Sequence, residues 1–159
     1  MPYSPSKSPI LSLWNRHGHS NFGRWLVSQA VCIKAPYFRT IKPRFTQLKA
    51  GHVEVFFKKR WGVTNHINTV HAIAMCNAAE LAGGVCLDVS LDNNYRWIPV
   101  GMEVKYQKMA KTDLTAVCQL PNYESIGEGD IVTPVIVSDR AGQEVFRADI
   151  TMRVTRKKK

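Results

Sequence analysis

From Thr69 to Cys86 the chain reads TVHAIAMCNAAELAGGVC, apolar on nearly every side, without proline and with a single carboxylate, Glu80. Ala, Leu, Met and Glu favour helix, and Asn68 or Thr69 stands where an N-cap is expected. Apolar residues all round predict a helix enclosed by a core rather than lying on a surface. A buried carboxylate is costly without a partner. Glu80 is therefore expected either to have a structural partner or to do chemistry.

The segments around this helix follow other periods. Ile10–Ala35 carries a loose helical pattern that Gly18 and Gly23 are expected to divide into two short helices. Residues 1–9 are rich in Pro and Ser and are read as irregular. Tyr37–Leu48, preceded by Pro36 and containing Pro43, reads as an irregular or edge strand. His52–Arg60 alternates, with Val53, Val55 and Phe57 on one face. Beyond the Asp92-Asn93-Asn94 turn the chain is strongly β. Ile98, Val100, Met102, Val104 and Tyr106 read as one face, followed by Leu114, Ala116, Cys118 and Leu120. Ile131–Val137 contains Pro134, expected at an edge or a bulge, and Phe146, Ala148, Ile150, Met152 and Val154 alternate with polar residues. Short connections between these last strands favour antiparallel hairpins. The order is helices, β, β, long helix, then four strands. It predicts an α+β fold in which one antiparallel sheet encloses one helix, with residues 1–36 as an N-terminal helical extension packed on a domain of residues 37–159. The outer side of such a sheet is expected to be covered by dimerisation.

Composition changes this picture little, and charge somewhat more. A length of 159 residues suits one domain with a real core. No apolar leader follows MPYSPSKSP, and His71, Asn77 and Glu80 interrupt the one run long enough to cross a bilayer. A soluble cytoplasmic protein with no membrane partner is expected. Cys32, Cys76, Cys86 and Cys118 are widely spaced and read as small buried hydrophobes in a reducing compartment. His17 and His19 have no acidic or cysteine ligand close in sequence, so neither a metal nor another cofactor is expected. The net charge of +10 is concentrated partly in Lys58-Lys59-Arg60 and in the terminal Arg156-Lys-Lys-Lys159. Such clusters suit polyanions, including phosphate-bearing ligands. A nucleic-acid-binding role ranks last, because neither a nucleic-acid motif nor aromatics interleaved with the basic runs occurs.

Four residues before and within the helix bring a resemblance. Asn65 lies six positions before His71-Ala72, and Glu80 lies nine after His71. This spacing, with the strand Val100-Gly-Met-Glu-Val-Lys-Tyr106 after the helix, resembles hotdog-fold acyl-CoA thioesterases, especially the phenylacetate-degradation type, and suggests an uncharacterised branch of that superfamily. The resemblance covers Phe38 to the C-terminus. It implies a homodimer or dimer of dimers that hydrolyses an acyl-CoA or acyl-carrier thioester, coenzyme A entering only as part of the substrate. The Ala72 N–H and the Asn65 side chain would hold the oxyanion, His71 would fix the loop, and Glu80 from the facing subunit would activate water or attack directly. Two positions depart from the family. Its His-Gly-Gly is His71-Ala72-Ile73 here, and Pro99 stands where many relatives carry Ser or Thr.

Other readings assign the same residues differently. Glu80 could pair with a basic residue of a second subunit, His71 and Asn65 could serve their own loop, and Gly83 and Gly84 could allow two helices to pack closely or open space for an acyl chain. The fold could then belong to a non-catalytic acyl-binding or interaction protein. A hydroxyacyl-thioester dehydratase would use His66 with Glu80, fourteen positions apart, but lacks that family's prolines between them.

Overall fold

The computed structural model describes residues 7–158. Two helices open the chain, α1 (Pro9–His17) and α2 (Asn21–Lys34), followed by a 3-10 turn over Pro36–Ile41. Strands β1 (Arg44–Lys49) and β2 (His52–Phe57) form a hairpin, and the long helix α3 covers Ala72–Ser90. Four strands complete the fold: β3 (Tyr95–Tyr106), β4 (Leu114–Gln119), β5 (Gly129–Ser138) and β6 (Glu144–Arg156). They make one antiparallel sheet in the order β1-β2-β4-β5-β6-β3. The irregular start of the chain read over residues 1–9 lies mostly outside the described residues.

The sheet wraps α3. Val53, Val55, Phe57, Leu114, Ala116, Cys118, Val135, Val137, Phe146, Ala148 and Ile150 are all buried, as the period-2 alternation requires when one sheet face is covered. On the helix, Ala78, Ala79, Leu81, Ala82, Cys86 and Leu87 are buried as well, so its uniform apolarity reflects enclosure. By length and composition α3 could cross a bilayer, but most of it is buried inside the domain. Gly83 and Gly84 serve this enclosure. A Cβ on Gly83 would lie 3.0 Å from Thr133 Oγ1 of β5, and one on Gly84 would lie 2.7 Å from the Trp97 ring of β3. The small residues thus admit the sheet, and Gly84 also lines a cavity between α3, Trp97 and the N-terminal helices.

Four expectations need adjustment. First, the helix begins at Ala72, capped by His71, rather than at Asn68 or Thr69. Val70 donates to Ala110 O at 2.8 Å and bridges Thr64, which holds residues 69–71 extended, and Asn68 sits in the left-handed region at φ 57°. Second, only Gly18 separates the first two helices. Gly23 lies inside α2, where a Cβ would fall 1.8 Å from His17 O, so it is needed for close approach of α1. Third, β3 does not present one apolar face throughout. A bulge between Pro99 and Gly101 shifts its register against β6, so Tyr95, Trp97, Met102 and Val104 are partly buried while Ile98 and Val100 face outward. Fourth, Pro134 lies in β5, a central strand, rather than at an outer edge. Pairing with β4 stops at Cys118↔Val135, the residue after Pro134, which leaves that flank open at the proline. The edge-strand reading of the Tyr37–Leu48 stretch holds for its second part, since β1 is one outer strand of the sheet.

The cysteines are free thiols, with Cys32, Cys86 and Cys118 buried and Cys76 half-buried. The hydrogen bond with Cys86, together with burial, pushes the Cys118 thiol up, away from the reactive thiolate form.

Candidate active site

The loop that leads into α3 is tied mainly to itself, to Val63 and to Ala110 in the connection between β3 and β4. Asn65 N–H donates to Thr69 O at 2.9 Å, and Asn68 N–H donates to Asn65 O at 3.0 Å. The Asn65 side chain accepts from the N–H groups of Ile67 and Thr69 at 3.2 and 3.0 Å, and its Nδ2 donates to Thr69 Oγ1 at 2.8 Å. Asn65 is therefore first a loop-closing residue, with one Nδ2 hydrogen left over. His71 N–H donates to Val63 O at 2.8 Å, which fixes where the helix begins.

The first turn of α3 has a specific division of labour. His71 Nδ1 accepts from Ile73 N–H at 3.1 Å, and an accepting Nδ1 carries no proton, so a neutral ring bears its hydrogen on Nε2. The N–H of Ala72 makes no hydrogen bond among the described residues. It is an open donor at the positive end of a 19-residue helix, an environment that favours developing negative charge. A cavity of about 210 Å³ lies against its neighbours His71 and Ile73, with Tyr37, Thr40 and Asn77 also on its walls, and Ala72 itself does not line it. Asn77 is buried and donates from Nδ2 to Thr40 Oγ1 at 2.9 Å, while its Oδ1 has no partner among the described residues.

Glu80 lies elsewhere. It is half-buried and lines a separate cavity of about 250 Å³, with Phe38, Leu81, Val85 and Trp97 among its apolar walls. Its carboxylate makes no hydrogen bond or ion pair among the described residues. Eight residues of helix separate it from Ala72, about 12 Å along the axis. One chain thus joins Asn65, His71 and Ala72 in one loop and helix start but does not bring Glu80 to them. His66 is exposed and does not line the Glu80 cavity. The N-terminal helices close one side of that cavity through Ile10 and Val31, a contribution that motif spacing missed. The apolar stripes of α1 and α2 were the only sequence signal for it.

An antiparallel six-stranded sheet wrapped around one buried helix is the hotdog fold. PA5026 from Pseudomonas aeruginosa, a protein of unknown function described as a probable thioesterase, matches it with a TM-score of 0.72 and 22% identity over 79% of this chain and 91% of that one. A thioesterase from Haemophilus influenzae, HI1161, matches with a TM-score of 0.68 and 11% identity over 76% and 82%. Within that fold the chain belongs to the family described as a domain of unknown function, DUF4442, which matches residues 23–154. A crystal structure known as genomics APC5556 is 39% identical, with a TM-score of 0.82 over 93% of this chain and 98% of that one. A search of curated proteins finds no match.

Proposed function

We propose that this protein is a thioester hydrolase acting on acyl groups carried by coenzyme A or an acyl carrier, with its site shared between two copies of the chain. The observation that carries the reading is the unpartnered Ala72 N–H at the start of α3, next to an amide already capped by His71. A donor already in place, with its neighbour satisfied, can accept the charge that develops on a thioester carbonyl oxygen. Asn65 adds its remaining Nδ2 hydrogen. Glu80 of the facing copy takes a proton from water as the water oxygen bonds to the carbonyl carbon. When the C–S bond breaks, that proton passes to the leaving thiolate, and the carboxylate is regenerated. The cavity beside Glu80 receives the acyl chain.

The 12 Å offset along α3 is what favours a dimer. So does the outer flank of β3, which is unpaired and carries exposed Ile98 and Val100. The test is turnover of an acyl-CoA panel by purified protein and by Glu80→Gln, with sedimentation as a check on assembly. Loss of about 10²–10⁴-fold in kcat at unchanged assembly is expected. Equal turnover by both would refute the assignment of Glu80. Absence of turnover by the unaltered protein on every chain length and carrier would favour an acyl-binding protein without catalysis.

A further inference from the structure

Five basic side chains that are scattered in sequence meet in one groove. Arg39 and Lys42 come from the 3-10 turn and the residue after it, Arg44 from the first position of β1, and Lys58 and Arg60 from the exit of β2. The groove has a volume of about 390 Å³, with Trp25 of α2 and Phe56 of β2 on its walls, and no carboxylate lines it. None of the five forms an ion pair among the described residues. Asp113 lies close enough to feel Lys58, but its carboxylate already holds the Arg140 guanidinium at 2.8 Å and the Lys59 N–H at 2.9 Å.

This arrangement works against folding. Like charges gathered around one space repel, and no carboxylate among the described residues lines the groove to offset them. Lys42 also occupies the left-handed region at φ 50°, which a residue with a Cβ adopts at a cost. Arg60 is held at the groove by donating from Nη2 to Thr40 O, and its Nε is buried without a partner among the described residues. A ligand with several negative oxygens would offset the repulsion and use these donors, since guanidinium groups match phosphate oxygens in geometry as well as charge.

We infer that this groove is a binding site for a small organic ligand bearing two or more phosphate groups, its phosphates held by Arg39, Arg44, Lys58 and Arg60 and its aromatic or apolar body laid against Trp25 and Phe56. A groove of about 390 Å³ whose basic groups converge on one space beside an indole wall fits a compact phosphate ester or anhydride better than an extended nucleic-acid strand. Binding is read without turnover, so the inference stands apart from thioester hydrolysis.

The probes are ADP and inorganic pyrophosphate, titrated calorimetrically at physiological salt into the full-length protein. The comparison is with Arg44→Gln/Lys58→Gln, whose side chains are exposed. A control, Lys111→Gln/Lys158→Gln, removes the same charge outside the groove. ADP should bind, at least tenfold more weakly to the groove variant than to the control, and with the control close to the unaltered protein. Equal weakening in both variants would reduce the effect to overall charge and overturn the site. Binding of neither probe would overturn it too, as would binding of a single-stranded oligonucleotide in the absence of ADP binding. A thermal midpoint of the groove variant no lower than that of the unaltered protein ensures that a loss reflects the site.

Discussion

Ala72 offers the site one amide proton and no side-chain chemistry, so its role can be removed by a single exchange. Proline lacks that proton and is favoured at the first position of a helix, where the N–H has no intrahelical acceptor. The preceding residue suits it as well, because His71 has φ −64° and ψ 139°, the extended conformation that proline imposes on its neighbour. Ala72→Pro should keep the helix and the thermal midpoint while lowering kcat by about 10²–10³, the usual cost of one oxyanion donor. Unchanged kcat, measured beside circular dichroism, would move the oxyanion site away from this amide. At this scale the sequence was informative about Glu80 because a lone carboxylate in an apolar helix is conspicuous. It was less informative about Asn65, whose amide is as useful to its own loop as to a substrate. It was silent about Arg39, Lys42 and Arg44, which only the fold brings beside Lys58 and Arg60.

The elements were legible where burial enforces a period and illegible where a local hydrogen bond overrides it. β2, β4 and β6 alternate because each has one face on α3, so their inward residues could be read directly from the chain. The β3 bulge reverses inward and outward positions within one strand, and only Pro99 and Gly101 at its ends mark it in the sequence. The start of α3 was displaced because Val70 joins Thr64 and Ala110 instead of the helix. A carboxylate in the connection between β3 and β4 joins other elements in a similar way. Asp113 accepts from Lys59 N–H after β2 and from Arg140 in the β5–β6 turn, while Thr112 Oγ1 accepts from Arg140 N–H at 3.0 Å. The Arg140 guanidinium, then the Lys59 N–H, hold the Asp113 carboxyl below its ordinary range against the opposing effect of burial. A folded-state value below the unfolded one means the stabilisation is complete above the unfolded value, about 3.9, and is lost as pH falls through the folded value. Asp113→Asn should therefore lower stability at neutral pH and flatten the decline below pH about 4. Urea titrations of both proteins at neutral and acid pH measure this, and parallel curves with a constant offset would exclude the linkage.

Two copies of the molecule offer a test that one copy cannot. The open Ala72 N–H and the Glu80 carboxylate lie on one helix, too far apart to reach the same carbonyl, and Ala72 is not among the residues that line the Glu80 cavity. If a two-fold axis brings the helix start of each copy to Glu80 of the other, each dimer holds two sites, and each site draws on both chains. Glu80→Gln and Ala72→Pro then damage opposite halves of a site. Either variant alone is inactive because both of its sites lack one component. A heterodimer of the two contains one site with both defects and one with neither. Random exchange of equal amounts yields half heterodimers with one working site in two, so the mixture should recover about a quarter of the unaltered activity from two inactive parents. Recovery should follow the time course of subunit exchange. It should disappear when Ile98→Lys, in the exposed flank of β3, is added to both parents, with sedimentation reporting monomers. A mixture that exchanges subunits yet stays inactive would place the amide and the carboxylate of each working site in the same chain. The offset along α3 would then have to be bridged by movement within one subunit.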